Sequence, residues 1–245
     1  MSPRDPLEHP ENDPGPRGIG GGTSKGAAAA RRRAVRIALA HELIRAGVVL
    51  EKRGMVVATE GNLSARFDLS SVVITRRGRR KGELTTRDFV ELALTEADDS
   101  PAREAASTEH RVHLAAYGAR EDVEAVVHAH PVALTAFGLR GELPNFAAFD
   151  EARGFIGPVA IVPYHPSGSD ALANAVGIAL MGEGAARRPS LPGIPQPAPP
   201  GAPNLILMRN HGALTVGDTV DQALSRLEIA EHLAATLLLS ERSKY

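Results

Sequence analysis

The apolar residues of this chain are gathered into short runs, and the length of those runs constrains the fold more than any other feature. Eight runs of five to eight residues are rich in β-branched and other apolar residues, a pattern typical of strands. The predicted strands are residues 55–59, 63–67, 71–75, 89–95, 123–130, 159–164, 204–210 and 213–217. Longer segments with apolar residues at helical spacing predict helices over residues 26–53, 108–117, 131–139, 170–182 and 219–242. Because strands and helices do not alternate strictly, we expect an α/β protein in which helices cover the faces of a sheet.

Two segments fall outside this pattern. Residues 1–25 contain five Pro and five Gly and almost no bulky apolar residues, which predicts a disordered N-terminal tail. Residues 183–203 contain seven Pro, and we interpret them as an exposed insertion loop and not as a domain boundary. We therefore expect one domain over residues 26–245.

Composition narrows the classes of function. The 245 residues include no Cys, which excludes disulfides, thiolate zinc sites, iron–sulfur clusters and a Cys nucleophile, so any metal must be held by His, Asp or Glu. The formal net charge of -1 gives no reason to expect nucleic acid or a membrane surface as a partner. The longest apolar runs, about ten residues, fall short of the roughly 20 that span a bilayer. The N-terminus lacks the apolar segment of a secretory signal, which predicts a cytoplasmic protein.

The strongest local motif is His128-Ala129-His130, at the end of a predicted strand. Side chains two residues apart in a strand point to the same face, so both imidazoles can converge on one ion such as zinc. A second histidine, in Asn210-His211-Gly212, lies between two predicted strands, where the glycine permits a tight turn. Taken singly, each motif is weak evidence for a metal site, because polar residues at a strand exit or in a turn also explain it.

Three further segments carry residues that can bind a substrate, and each also has a structural explanation. Ser107-Thr108-Glu109 is either part of a binding site or a helix cap followed by a carboxylate in the first turn. Glu60-Gly61-Asn62 is either an anion cradle or the turn between two strands. Residues 75–81 contain five basic residues that can bind phosphate or form a solvated loop, and no aromatic side chain beside them favours nucleic-acid binding.

In order and spacing, these segments together resemble the class II aldolase/adducin family. The resemblance runs from about Ala34 to Leu239, and its most specific part is residues 107–131, STEHRVHLAAYGAREDVEAVVHAHP. It also includes EGNLSAR (60–66), ITRRGRRKGELTTRDFVEL (74–92) and RNHGALTVGDTVDQAL (209–224). The family's fold implies a three-layer α/β/α arrangement with a central, mainly antiparallel sheet, and its usual assembly implies a homotetramer.

The resemblance also implies a role for each of these motifs. By position, Glu109 is both a metal ligand and the general base, and zinc is the implied metal, with manganese or cobalt as alternatives. The metal ligands are His128, His130, His211 and Glu109. The residues placed at the substrate's phosphate are Gly61, Asn62, Arg77, Gly78, Ser107 and Thr108. His113, one helical turn after Glu109, is expected to pack or to support the ligands from behind.

The activity that the resemblance implies is that of a zinc-dependent aldolase, a lyase that cleaves or forms a carbon–carbon bond in a phosphorylated sugar or hydroxyketone phosphate. The metal stabilises an enediolate while Glu109 transfers a proton. Other reactions of the same family remain open: sugar-acid phosphate decarboxylation, dehydration and pentulose-phosphate 4-epimerisation. A non-enzymatic adducin-like module is disfavoured because the metal-binding histidines are present.

Two departures from the family bear on the choice of reaction. The family's tyrosine acid falls near Phe146, which cannot donate a proton. The phosphate loop carries Arg76 and Arg77 where uncharged residues are usual, so a cation is available for a second acidic group on the substrate.

Overall fold

The computed structural model describes residues 22–95, 99–182 and 197–241, which form one seven-stranded sheet and seven α-helices. The strands are β1 (Asn62–Asp68), β2 (Ser71–Thr75), β3 (Phe89–Ala93), β4 (Ala125–Ala129), β5 (Val159–Val162), β6 (Leu205–Met208) and β7 (Gly212–Gly217). The helices are α1 (Gly22–Lys52), α2 (Pro101–Ala105), α3 (His110–Ala119), α4 (Val132–Arg140), α5 (Asp150–Phe155), α6 (Asp170–Met181) and α7 (Val220–Glu241). Short 3-10 turns occupy Lys81–Glu83 and Phe146–Ala148.

The sheet has the strand order β3-β2-β1-β4-β7-β6-β5. Every neighbouring pair is antiparallel except β5 and β6. The prediction of a mainly antiparallel sheet is therefore confirmed. The order places β4, which ends in the histidine motif, between β1 and β7 at the centre of the sheet, so the motif is built on the most constrained strand.

Each face of the sheet is covered by helices. On β4, Val127 lies in one apolar cluster with residues of α1, α4 and α7, whereas Val126 lies in a second cluster with residues of α3 and α6. This period-two alternation follows from strand geometry, and each fully buried aliphatic side chain contributes about 1.5–3 kcal/mol. The α/β/α three-layer prediction is confirmed. The second face, which carries α3, is the one on which the candidate site is built.

The chain divides into two compact units, Met1–Ala34 and Val35–Tyr245. Of the first unit, residues 22–34 are described, and they are helical, with exposed side chains from Lys25 onward. The second unit contains the sheet. Helix α1 begins at Gly22 and not at the predicted Gly26, and the rest of the predicted tail, residues 1–21, lies outside the described residues. Over the described ranges, no helix combines the length and the apolar character that a membrane crossing requires.

Seven of the eight predicted strands are present within two residues at either end. The strand predicted at 55–59 is wrong. Met55 and Val56 are buried in the first apolar cluster, but the chain then turns, with Ala58 at a φ of 54° and the Glu60 N–H bonded to the Val57 carbonyl. The apolar run anchors a loop to the core, and periodicity cannot separate that role from a strand of equal length.

Two short helices are absent from the predicted elements. Helix α2 begins after Ser100, whose hydroxyl accepts a hydrogen bond from the Arg103 N–H, and Pro101 occupies its first turn. This Ser-Pro pair is a start signal that was present in the sequence. Helix α5 follows the turn that contains Phe146, whose side chain is buried in the first apolar cluster.

The proline-rich insertion lies in the connection between α6 and β6. Residues 183–196 of it lie outside the described residues. On either side of them the chain is close to itself: a Cβ placed on Gly182 would lie 3.2 Å from the Cα of Ala202. The insertion therefore leaves and rejoins the domain at nearly the same point.

Candidate metal centre

The two histidines of the β4 motif lie on one face, as the spacing predicts. His128 is 1% exposed, and its Nδ1 is 2.9 Å from the Ala213 carbonyl oxygen of β7. That hydrogen bond makes Nδ1 the donor and presents Nε2, the nitrogen that can bind a cation, to the other residues of the site. His130 follows the strand, is half-buried, and brings its Nε2 to 3.2 Å from the Nε2 of His128. Two nitrogens bound to one zinc ion at tetrahedral angles lie about 3.3 Å apart, so this separation suits a shared ion.

His211 joins the pair from the turn between β6 and β7. The turn requires Asn210 in the left-handed region, with a φ of 56°. The ring of His211 lies 4.9 Å from that of His128 and 5.1 Å from that of His130, measured between centroids. A Cβ on Gly212 would lie 2.5 Å from the Ala129 carbonyl oxygen and 2.6 Å from the His130 ring. Glycine is therefore the residue that lets the turn approach the histidine motif.

Glu109 closes the cluster from the start of α3. It occupies the cap position of the helix, but its carboxylate does not cap the helix. Instead Oε2 lies 2.9 Å from Nε2 of His128, and Oε1 lies 3.0 Å from Nε2 of His211. Burial raises the pKa of Glu109, but the charges of His128 and His211 and their hydrogen bonds outweigh it and hold the pKa well below its usual range. Glu109 is therefore an ionised carboxylate directed at the histidines.

These four residues have the chemistry of a divalent-metal site. One ligand atom from each of Glu109, His128, His130 and His211 lies within 4.8 Å of the others. Burial, followed by the charges of His128 and His211, lowers the pKa of His130 to about 4, which keeps its imidazole in the neutral form that binds metals. Nitrogen and carboxylate ligands suit Zn²⁺, Mn²⁺ and Co²⁺. The residues present therefore fit a metal ion.

Behind the cluster lies a buried row of polar side chains on α3 and β1. Asn62 donates from Nδ2 to Oε2 of Glu109 at 3.0 Å, and its Oδ1 is 2.5 Å from Nε2 of His113. Nδ1 of His113 is 2.6 Å from the Ser64 hydroxyl, which is 2.8 Å from the Tyr117 hydroxyl. Glu109, His113 and Tyr117 occur at four-residue intervals and so share one face of the helix. His113 lies behind the four candidate metal ligands, in the supporting position that the family resemblance implies.

The residues predicted to bind phosphate lie in three neighbouring segments. Gly61 has a φ of 70°, and a Cβ there would lie 2.7 Å from the His128 carbonyl oxygen. Arg77 is exposed, and its N–H bonds to the Ala105 carbonyl, while the Ser107 N–H bonds to the Thr75 carbonyl. The segments around Arg77–Gly78 and Ser107–Thr108 are therefore adjacent. In contrast, the Asn62 side chain is directed at Glu109.

Lys81 differs from the rest of the basic run. It is 2% exposed, and its ammonium donates to the carbonyls of Thr59 at 2.9 Å and Arg79 at 2.5 Å. Burial lowers its pKa to about 8, and the carboxylates of Glu51 and Glu60 offset part of that effect. The solvated-loop interpretation is thus wrong for Lys81, which links the loop before Gly61 to the loop after Gly78.

Ser167 is a site residue that the sequence reasoning missed. It is exposed, and its hydroxyl donates to Oε1 of Glu109 at 2.9 Å. Its loop is close to the start of α3, because a Cβ on Gly168 would lie 2.7 Å from the Thr108 carbonyl oxygen. The available signal was the Pro-Ser-Gly-Ser turn before α6, since loops that precede helices often carry binding residues.

Acid is expected to destabilise the protein through His113. Burial, the largest cause, lowers the pKa of His113 from 6.5 to about 3, so the folded state holds it neutral while the unfolded chain protonates it. The neutral ring stabilises the fold fully above pH 6.5, and that contribution is lost as the pH falls toward 3. The free energy of unfolding of metal-free protein is measured by urea titration at several pH values in this range. It should fall with decreasing pH more steeply in wild type than in His113→Gln, by up to about 1.4 kcal/mol per pH unit. An equal pH dependence of the free energy of unfolding in the two proteins would contradict the lowered pKa of His113.

The family model described as Class II Aldolase and Adducin N-terminal domain matches residues 41–238. The match includes all four residues of the metal cluster. This chain belongs to the class II aldolase/adducin family.

Relatives with two different named activities are similar to this chain. The chain is 30% identical over 203 residues to a methylthioribulose-1-phosphate dehydratase of Acidiphilium cryptum, covering 79% of this chain and 87% of that enzyme. It is 26% identical over 193 residues to an L-fuculose phosphate aldolase of Methanococcus maripaludis, covering 79% and 92%. Its fold is similar to the crystal structure of L-fuculose-1-phosphate aldolase from Thermus thermophilus, with a TM-score of 0.66, 26% identity and coverage of 84% and 95%. Both named activities are those of lyases. This chain is an enzyme of the class II aldolase superfamily.

Proposed function

We propose that this protein is a metal-dependent lyase that removes water from a phosphorylated ketose, with methylthioribulose 1-phosphate as the substrate. The observation that carries the proposal is the convergence of Glu109 with His128, His130 and His211 on one point. The choice of dehydration over carbon–carbon cleavage is supported by relatives of 30% and 31% identity that are named dehydratases and are covered over 87% and 93% of their length.

Dehydration of a ketose requires a base next to a polarised carbonyl group. A divalent ion held by His128, His130 and His211 would supply the polarisation, stabilising negative charge on the carbonyl oxygen. Glu109 takes the proton from the carbon next to the carbonyl, and hydroxide leaves from the carbon beyond it, so that one water is lost in total. The enol that remains tautomerises to the diketone, its hydroxyl proton being replaced by a proton on carbon. Asn62 and Ser167 hold the two carboxylate oxygens during this transfer.

The phosphate is bound away from the reacting carbons. Gly61, Gly78 and Thr108 supply backbone N–H groups for it, Ser107 and Thr108 supply hydroxyls, and Arg77 supplies one exposed guanidinium. Binding a remote group in this way contributes energy that positions the reacting carbon against Glu109. Arg77 in this loop adds a charge-assisted partner for the phosphate oxygens.

The test is to give metal-loaded protein methylthioribulose 1-phosphate and to follow loss of substrate and appearance of the diketone product by NMR. Zinc, manganese and cobalt are loaded in parallel, which also identifies the active metal. Product formation that requires both the metal and Glu109 is the expected result. A folded, metal-bound protein that leaves the substrate intact would overturn the proposal.

A second candidate is the aldolase reaction, which is favoured by the relative named L-fuculose phosphate aldolase. It predicts exchange of the hydroxymethyl protons of dihydroxyacetone phosphate in D₂O, because an aldolase removes a proton from that donor before it forms the new bond. Exchange without dehydration would select the aldolase. The buried Phe146, in the region where the resemblance places a tyrosine acid, counts against it.

A further inference from the structure

The hydrogen bonds in the row of polar side chains behind Glu109 run in one direction, which follows from the donors and acceptors that each side chain offers. An ionised carboxylate only accepts hydrogen bonds, so Asn62 presents its NH₂ group to Glu109 and its carbonyl oxygen to His113. His113 must then donate from Nε2, which makes its Nδ1 an acceptor for the Ser64 hydroxyl. With its proton committed to His113, Ser64 accepts from Tyr117. Every donor in the row points toward Glu109.

The row is also inaccessible to a substrate. Asn62 is 3% exposed, and Ser64 and His113 are 0% exposed. Both amide atoms of Asn62 are engaged, one by Glu109 and the other by His113. A turn of the amide by 180° would set its oxygen against the Glu109 carboxylate and its NH₂ group against the Nε2–H of His113. Repulsion between the amide oxygen and the ionised Glu109 carboxylate would oppose this turn, so Glu109 sets the orientation of Asn62 and the Nε2–H of His113 reinforces it.

We infer that Asn62 is a positioning residue for Glu109, held in place by His113, Ser64 and Tyr117, and that its side chain is not a phosphate ligand. The inference rests on the proposed function, in which Glu109 is the base. It changes the role that the sequence comparison implies for Asn62 and gives His113 a function at a distance from the substrate. Phosphate binding is left to Gly61 and to the segments around Arg77 and Ser107.

The two roles for Asn62 make opposite predictions. Loss of a phosphate ligand raises KM and the Kd of inorganic phosphate, whereas loss of a group that orients the base lowers kcat. We expect Asn62→Ala to lower kcat by roughly 10–100-fold, the range for a hydrogen bond to a charged group, with KM within about threefold. Arg77→Ala is the contrasting variant, in which the Kd of inorganic phosphate is expected to rise roughly tenfold.

His113 supplies the decisive control because it touches neither phosphate nor metal. His113→Gln is expected to lower kcat in the same direction as Asn62→Ala, and the double variant should be no slower than the slower single variant. The bound metal should stay stoichiometric in all three proteins. Tyr117→Phe removes only the terminal hydroxyl, and we expect a smaller loss of kcat with unchanged metal content.

Two readouts need no substrate. ¹⁵N NMR of the histidine rings should show His113 as the Nε2–H tautomer in the metal-loaded protein. Calorimetric titration with inorganic phosphate should give the same Kd for wild type and Asn62→Ala. A Kd that rises in Asn62→Ala as it does in Arg77→Ala would overturn the inference, and so would an unchanged kcat. Failure of the proposed function can be distinguished from failure of this inference. If the proposed function is wrong, wild type is inactive on methylthioribulose 1-phosphate, but the His113 tautomer and the phosphate Kd still test the role of Asn62.

Discussion

Replacing His128 by alanine is expected to abolish metal binding and activity together. His128 is the most buried of the three histidines, and its Nε2 lies within 3.2 Å of both His130 Nε2 and Glu109 Oε2. Removing one of three imidazole ligands is expected to weaken metal affinity by more than roughly 100-fold. The measurement is metal content by mass spectrometry after gel filtration, with turnover measured on the same samples.

His41→Ala is the matched control, because His41 is an exposed histidine of α1 outside the cluster. It should retain stoichiometric metal and full turnover. Since a cavity at His128 can itself destabilise the fold, His211→Asn provides a second route to the same result at a less buried position. Full metal content in both ligand variants would refute the assigned site.

Replacing Glu109 by glutamine is expected to separate metal binding from catalysis. The amide keeps the size of the carboxylate and an oxygen for Asn62, but it cannot take up a proton. We expect most of the metal to remain on the three histidines, while kcat falls by roughly 10²–10⁴-fold, the contribution typical of a positioned general base. The measurement pairs metal content with single-turnover rates on methylthioribulose 1-phosphate.

Glu104→Gln controls for the loss of one negative charge, since Glu104 is exposed on the nearby helix α2. It should behave as wild type in both assays. If Glu109→Gln turned over at the wild-type rate, another group would be the base. Loss of metal in Glu109→Gln, with the histidines intact, would instead make the carboxylate an essential ligand.

Local patterns indicated part of this site, and the family resemblance supplied the full set of candidate ligands. The His128-Ala129-His130 spacing predicts a shared face because strand geometry has a period of two. Most strand positions followed from short runs of β-branched and other apolar residues, and the fold layers followed from the family resemblance. The strand positions and the shared face of the two histidines depend on neighbours in the chain, so a single sequence carries them.

The contacts that the sequence could not supply are those between distant segments. Ser167 reaches Glu109 across 58 positions of the chain, and Asn62 reaches His113 across 51. Lys81 could not be separated from the neighbouring arginines, because its burial accompanies a hydrogen bond to the Thr59 carbonyl, 22 positions away. The strand predicted at 55–59 failed for a related reason: Met55 and Val56 are apolar because they are buried in the first apolar cluster, and not because they pair with a strand.

The contact between Gly182 and Ala202 has a consequence for how such a chain can change in length. Short turns join β1 to β2 and β6 to β7, but β5 and β6 are parallel and need a long crossover, which α6 provides. The proline-rich segment is appended to that crossover with both ends at one point, so its length is decoupled from strand register. Because the entropy of closing a loop grows only slowly with its length, this junction tolerates trimming, exchange or a grafted module with little effect on the domain.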